Sequence, residues 1–277
     1  MMKPVQQDKP QLVDQNTDDL PSKQKKRRRG VYLIPNLFTT FGLFAGFYAI
    51  IQASTSNYEY AAIAIIVAMV LDGLDGRIAR MTNTQSDFGA EYDSLADMVS
   101  FGIAPALIMF EWSLSSMSQL SPEMAKVGWL AAFFYAAMAA LRLARFNVQT
   151  DTVEKGFFRG LPSPAAAGLV ISFIWVCETL DVPLTGKDML VYSLVVMVVA
   201  GALMISPILF NSFKDSNREG KIPFRGATAI VLILILVYLD PPKVLFAVFF
   251  IYAISGPVMS LFRRKNRTRI KAQDSAD

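Results

Sequence analysis

Long apolar runs separated by short polar stretches dominate the chain between residues 33 and 262. Runs of this length with few internal charges are typical of helices that cross a bilayer whose hydrocarbon core is about 30 Å thick. The third and seventh runs are short for a full crossing, and the third gains length if its helix begins near Gly89. The pattern predicts about eight membrane-spanning helices, at residues 37–53, 58–74, 98–112, 127–143, 161–180, 190–210, 226–239 and 244–262.

Composition supports the same fold class. The 277 residues are 53% hydrophobic and 18% charged, with a mean hydropathy of +0.37. Soluble domains of this size do not usually combine these values with repeated apolar runs of membrane-spanning length. We therefore expect an all-α integral membrane protein with a disordered basic tail at residues 1–30, a polytopic membrane domain at 31–262 and a second basic tail at 263–277.

The distribution of positive charge predicts the orientation of the spans. If the eight spans alternate in direction, all but three of the 27 Lys and Arg residues fall on one side, and the exceptions are Lys126, Lys187 and Lys243. Positive charge marks the cytoplasmic side of a membrane. Both tails should therefore face the cytosol, and the basic cluster at residues 23–29 should contact anionic lipid headgroups rather than nucleic acid. We expect location in the cytoplasmic (inner) membrane.

Two residue types restrict the chemistry. The chain contains no histidine, which excludes a histidine base, a histidine-ligated zinc site and a Ser-His-Asp triad. Cys177 is the only cysteine, so internal disulfides and cysteine-cluster metal sites are excluded as well. A general base should therefore be a carboxylate or a less common group.

The acidic stretch at residues 72–97 (DGLDGRIARMTNTQSDFGAEYDSLAD) is the main candidate for chemistry. Residues three or four apart share one face of a helix. One predicted helix end therefore presents two carboxylates beside two residues with almost no side chain, and the next helix presents a glycine and two carboxylates at intervals of four. These residues are, in order, Asp72, Asp75, Gly76 and Ala79, then Gly89, Asp93 and Asp97.

Four aspartates so close to a bilayer repel one another and are costly to insert. A divalent cation removes both difficulties, and oxygen ligands without His or Cys suit Mg²⁺, Mn²⁺ or Ca²⁺. Two Mg²⁺ or Mn²⁺ ions held in this way commonly clamp a diphosphate. The alternative is a set of helix-end aspartates that simply face the cytosol, but this does not explain the small residues on the same face.

The stretch resembles the signature of the CDP-alcohol phosphotransferase family, D-x-x-D-G-x-x-A-R-x8-G-x-x-x-D-x-x-x-D. All eight specified positions match, from Asp72 to Asp97, including Arg80. The resemblance implies a membrane-embedded helical bundle that binds CDP-linked lipid and membrane lipids, requires Mg²⁺ or Mn²⁺ and forms a homodimer.

The resemblance also implies roles for single residues. Asp72, Asp75, Asp93 and Asp97 would hold the metal, and Asp97 would also act as the catalytic base. The nucleotide and its diphosphate would contact residues of the signature and of the element Pro-Asn-x-x-Thr at residues 35–39, although a helix cap explains that element nearly as well. The implied nucleotide contacts are Asn36, Thr39, Gly76, Ala79, Arg80, Ser86 and Gly89.

Two arginines end the fourth predicted span. Arg142 and Arg145 lie three residues apart in RLARFN, and GLPSPAA opens the next span. Arginine suits bidentate recognition of phosphate or carboxylate, so the pair could bind a lipid phosphate or an acidic acceptor, or could serve only as positive-inside anchors. Resemblance favours binding, since RLARFN, GLPSPAA and DSLADMVSFGIAPA look like the phosphatidylserine synthase branch of the family, whose substrates are CDP-diacylglycerol and L-serine.

Other functions stay open at this point. A sister enzyme that uses glycerol 3-phosphate or inositol phosphate would share the aspartate signature. A cation transporter could also place aspartates within its spans, although these four lie at one predicted end of the bundle. We expect phosphatidyl transfer to serine at the cytosolic face, either directly or through a covalent intermediate.

Overall fold

The computed structural model describes residues 33–82, 84–148, 157–180, 184–211 and 224–273. Two short strands, β1 (Phe157–Arg159) and β2 (Leu209–Asn211), pair antiparallel with Phe158 opposite Phe210. The rest of the regular structure is helical: α1 (Leu33–Ser54), α2 (Tyr58–Met81), α3 (Asp87–Asp97), a π-helical segment (Met98–Ile103), α4 (Ala104–Trp112), a 3₁₀ segment (Leu114–Gln119), α5 (Pro122–Val148), α6 (Ser163–Thr179), α7 (Leu190–Ile205), α8 (Phe224–Leu239) and α9 (Pro241–Gln273).

Four helical stretches in the described part of the chain are long and apolar enough to cross a membrane: Pro35–Ser54, Asp87–Trp112, Pro122–Val148 and Pro241–Leu261. Helices α6 and α7 are apolar but shorter. Helix α2 is 24 residues long, and its last turns carry the charges of the acidic stretch. A helical membrane protein is therefore confirmed, whereas the number of eight spans stays a prediction.

Helix α3, the π-helical segment and α4 form one continuous helix of 26 residues. This confirms the expectation that the third span gains length from a helix that begins near Gly89. The change of helix type precedes Pro105, which lacks an N–H group and cannot donate to the carbonyl of Phe101 one turn earlier. The buried Tyr135 hydroxyl donates to that carbonyl at 3.1 Å. A side chain of α5 thus replaces the hydrogen bond that proline removes.

Several predicted helix boundaries are wrong, and the fold is not purely helical. The fifth helix begins at Ser163 rather than residue 161. The sixth ends at Ile205, because the chain then turns into β2. The last helix extends to Gln273, past the boundary predicted at residue 262. The predicted disordered tail at residues 1–30 lies outside the described residues.

Small residues allow close packing around the site. Helix α1 packs along α2 through alanines that include Ala49 and Ala61, both fully buried. Gly46 of α1 lies against Ser100, and a side chain at Gly46 would collide with it. In a bilayer, such close backbone approach replaces the hydrophobic driving force between helices. Helix α6 lies at the centre, against α2, α4, α7 and α9. Helix α1 packs against both α2 and α3, and so brings the C-terminal end of α2 near α3.

Candidate active site

Three aspartate side chains converge where α2 meets α3. Carboxylate oxygens of Asp72, Asp75 and Asp93 all lie within 4.8 Å of one another. Asp72 and Asp75 share a face of α2, and Asp93 comes from the facing side of α3. Carboxylates at this separation repel unless a cation lies between them. We call these three residues the carboxylate group.

The carboxylate group fits a divalent cation. It offers oxygen donors without sulfur or imidazole nitrogen, which is the donor set of the hard ions Mg²⁺, Mn²⁺ and Ca²⁺. Donors within 4.8 Å of one another can reach a single ion. The prediction that these side chains come together is therefore confirmed in its geometry.

Asp75 is held in place from α1. Thr39 donates a hydrogen bond from Oγ1 to Oδ2 of Asp75 at 2.7 Å, and the N–H group of Gly76 donates to the other carboxylate oxygen. The exposed fractions of Thr39 and Asp75 are only 6% and 4%. Both oxygens of a nearly buried carboxylate are thus hydrogen-bonded, which fixes its orientation. Thr39, predicted as a nucleotide contact, contacts the carboxylate group itself.

Asp97 lies beside the carboxylate group without being one of its three members. The charged groups that act on it are Asp72, Asp93 and the guanidinium of Arg142. It also lines a pocket together with the carboxylate group. Thr39, Gly42 and Ser100 contribute further lining. Asp97 and the carboxylate group thus border the same pocket.

Part of the surface of α2 next to the carboxylate group is open. A side chain placed at Gly76 or at Gly73 would meet no other atom of the described structure within 4 Å. Ala79 follows Gly76 on the same face and is half-buried, and Arg80 is exposed near the helix end. A bulky ligand could therefore lie directly on the backbone here, as the small residues of the sequence predicted.

The remaining predicted nucleotide contacts meet at the start of α3. Ser86 caps this helix, since its Oγ accepts a hydrogen bond from the N–H group of Gly89 at 3.1 Å. The side-chain oxygen of Asn36 lies near the same glycine, at 3.4 Å from the position that a Cβ atom would take. Asn36, Ser86 and Gly89 are therefore neighbours, although long stretches of chain separate α1 from α3.

The two arginines of α5 have different surroundings. Arg142 donates from Nη1 to the hydroxyl of Ser163 at 2.8 Å, whereas Arg145 donates from Nη1 to the backbone oxygen of Ile205 at 3.3 Å. Ser163 was not predicted as a functional residue. Its place in GLPSPAA is the only signal that the sequence offers, because a hydrogen bond between separate helices leaves no trace in local periodicity.

Polar contacts between α1, α3 and α5 were also not predicted. The Thr40 hydroxyl lies 2.9 Å from the Tyr92 hydroxyl and joins α1 to α3. The Asn147 side-chain amide donates to Ser94 Oγ at 3.0 Å and joins α5 to α3. These contacts fix the helix that carries Asp93 and Asp97 from two sides.

Comparison with known proteins agrees with this geometry. The family model described as CDP-alcohol phosphatidyltransferase matches residues 32–206, which include the whole acidic stretch and both arginines. The chain belongs to this family. The resemblance inferred from the aspartate signature is therefore confirmed. Helices α8 and α9 lie outside the matched region.

Several curated members of the family are similar to the chain over much of its length. Proteins named CDP-diacylglycerol–serine O-phosphatidyltransferase include one from Helicobacter pylori strain J99, which is 36% identical over 235 residues, or 84% of this chain and 92% of the relative. The protein of that name from Methanocaldococcus jannaschii is 33% identical over 187 residues, covering 68% of this chain and 78% of the relative. The one from Mycobacterium tuberculosis strain H37Rv is 41% identical over 154 residues, covering 53% of this chain and 51% of the relative.

Proposed function

We propose that the protein transfers the phosphatidyl group of CDP-diacylglycerol to the hydroxyl of L-serine, giving phosphatidylserine and CMP. The observation that carries this proposal is the carboxylate group beside Asp97, in a chain whose similar curated relatives bear the name of this enzyme. Membership of a transferase family favours this reaction over cation transport.

Asp72, Asp75 and Asp93 would hold Mg²⁺ or Mn²⁺, and Asp97 lines the same pocket. The bound cation would neutralise charge on the diphosphate and on the departing CMP. Thr39 keeps the Asp75 carboxylate aimed at the site, so little rearrangement is needed on binding. These aspartates would therefore provide a preorganised set of carboxylate ligands for the cation.

The open face of α2 would receive the nucleotide. Gly76 leaves the backbone accessible, Ala79 adds only a methyl group, and Arg80 would pair with the diphosphate. Asn36, Ser86 and Gly89 would form the other wall. The acyl chains would extend between the helices into the surrounding lipid.

The Asp97 carboxylate would accept the proton of the serine hydroxyl. A new bond forms between the serine oxygen and the phosphorus that carries the diacylglycerol, and the bond between that phosphorus and the oxygen of CMP breaks. A serine hydroxyl is a poor nucleophile near neutral pH, so a positioned base is required. Arg142 and Arg145 would bind the acceptor or the lipid phosphate.

The membrane arrangement proposed here has eight spans, with the site at the cytosolic face of the cytoplasmic membrane. The concentration of Lys and Arg on one side of the predicted spans supports it. A cytosolic site would give serine and the released CMP direct access to water. We further propose a homodimer, on the family resemblance alone.

A comparison of acceptors tests the proposed function. Detergent-purified protein receives CDP-diacylglycerol and Mg²⁺ or Mn²⁺ with L-serine, with glycerol 3-phosphate or with no acceptor, and CMP release is measured. We expect release that depends on both metal and serine. CMP release that requires glycerol 3-phosphate instead would be consistent with the proposed aspartate site but would contradict serine as the acceptor.

A further inference from the structure

Helix α5 lies alongside the helix that carries Asp97, and two contacts fix their alignment. Near the middle of α5, Tyr135 bonds to the backbone oxygen of Phe101 at 3.1 Å. Near its end, Asn147 bonds to Ser94 at 3.0 Å. As the residue number rises along α5 it falls along the partner, so the two helices are antiparallel. Side chains between the two contacts therefore face each other across the site.

Arg142 and Asp97 lie between these two contacts. Arg142 precedes Asn147 on α5, and Asp97 lies between Ser94 and Phe101 on the other helix. Tyr135 and Arg142 are seven residues apart, or about two helical turns, so they share a face of α5. Arg142 therefore lies on the face of α5 that is turned towards the helix of Asp97, and Asp97 lines a pocket together with the carboxylate group.

The Arg142 guanidinium retains hydrogen-bonding capacity. Its Nη1 donates to Ser163, a neutral hydroxyl with an exposed fraction of 0%. Its Nε is buried and has no hydrogen-bond partner among the residues that the structure describes. A guanidinium has five N–H donors in a fixed planar arrangement. A hydrogen bond to the neutral Ser163 hydroxyl does not neutralise the guanidinium, so its positive charge can still bind an anion.

The backbone before Ser163 is held firmly. Gly160, at φ +81°, donates its N–H to the backbone oxygen of Ile208 at 2.8 Å, and Leu161 donates to that of Leu203 at 2.9 Å. Both acceptors lie at or just after the end of α7. The start of α6 is therefore anchored to α7, and the Ser163 hydroxyl has a fixed position from which to accept the Arg142 bond.

We propose that Ser163 is a positioning residue that aims Arg142 at the carboxylate of the acceptor amino acid. The proposal rests on the proposed function and deepens it. Only two carbon atoms separate the carboxylate of serine from its hydroxyl, so a carboxylate held by Arg142 brings the hydroxyl towards Asp97. Arg145 has a different role, because it bonds to the backbone at the end of α7.

Steady-state kinetics of Ser163→Ala test this role. Without the hydroxyl, the Arg142 guanidinium loses its anchor, and we expect the KM for L-serine to rise about five- to tenfold. The kcat and the KM for CDP-diacylglycerol should change little. Ser172→Ala is the matched control, since Ser172 is equally buried on the same helix but bonds to the Gly168 carbonyl of its own turn at 2.6 Å. We expect wild-type kinetics from the control.

Arg142→Gln and the double variant complete the experiment. Arg142→Gln should raise the KM for serine further, and adding Ser163→Ala to it should cause no additional loss, because Ser163 acts through Arg142. A wild-type KM for serine in either single variant overturns the proposal, as does a loss confined to kcat, which would mean that Arg142 acts only on Asp97. If wild-type protein transfers nothing to serine, the proposed function itself fails.

Discussion

Thr39 and Asp75 are joined by a hydrogen bond of 2.7 Å, although 36 positions separate them in the chain. The bond connects α1 to the helix end that carries two of the three members of the carboxylate group. A residue that does not ligate a metal but orients one of its ligands commonly affects metal affinity. Helix α1 therefore contributes to the cation site through a single hydroxyl.

Thr39→Val should weaken metal binding. Valine keeps the size of threonine but cannot donate to Asp75, so the carboxylate loses one of the bonds that orient it. We expect the Mn²⁺ concentration for half-maximal CMP release to rise about 10- to 100-fold. Thr39→Ser keeps the hydroxyl and should remain near wild type. Equal metal dependence in the valine and serine variants would show that the hydrogen bond has no such role.

The two glycines of α2 provide a matched pair for the nucleotide surface. Alanine fits at either position without touching the described protein, and it favours a helix over glycine by about 1 kcal/mol. Gly76→Ala should nevertheless reduce turnover of CDP-diacylglycerol about tenfold or more, because its methyl group occupies the proposed nucleotide surface. Gly73→Ala should retain activity, because at about 100° of rotation per residue Gly73 lies about 160° around the helix from Asp75, whereas Gly76 lies only about 40° from Asp72. Activity is measured as CMP release over a range of CDP-diacylglycerol concentrations. Full activity in Gly76→Ala would show that the nucleotide does not bind on this face.

Substitutions of two aspartates should impair the enzyme in different ways. Asp97→Asn removes the proposed base, so kcat should fall by about 10²- to 10⁴-fold while CDP-diacylglycerol binding remains measurable. Asp75→Asn disturbs the carboxylate group, so it should raise the metal requirement. Metal titrations of CMP release, with nucleotide binding measured in parallel, separate the two effects. Turnover of Asp97→Asn at the wild-type rate would exclude this residue as the base.

The course of α2 through the membrane can be tested with single cysteines. Cys177 is the only native cysteine and is buried, so Cys177→Ala gives a background without cysteine. Thr55 precedes α2 and Thr82 follows it, and both are exposed. If α2 crosses the bilayer, a membrane-impermeant maleimide applied to one side should label only one of Thr55→Cys and Thr82→Cys. Labelling of both from the same side would contradict the eight-span arrangement.

Local patterns in the sequence predicted much of the fold and of the site. Helical spacing alone placed Asp72 with Asp75 and Asp93 with Asp97, because the period of an α-helix fixes which residues share a face. The apolar runs located the helices, with wrong boundaries at the start of α6 and at the ends of α7 and α9. The one-sided distribution of Lys and Arg predicted an orientation that the cysteine experiment can check.

Contacts between distant segments could not be predicted. The pairing of β1 with β2 joins two three-residue strands that carry too little pattern to be recognised. The bond between Arg142 and Ser163 depends on how α5 and α6 pack. Spacing treated Arg142 and Arg145 as equivalent, whereas packing directs them to a side chain and to a backbone carbonyl. Tertiary packing determines these details, and a single sequence records it only indirectly.

The most direct test follows labelled serine into lipid. Purified protein in vesicles that contain CDP-diacylglycerol receives [¹⁴C]L-serine with Mg²⁺ or Mn²⁺, or with a chelator. The account predicts labelled phosphatidylserine and CMP in equal amounts with metal, and neither product after chelation. CMP release without labelled lipid, or transfer that is undiminished by the chelator, would contradict it.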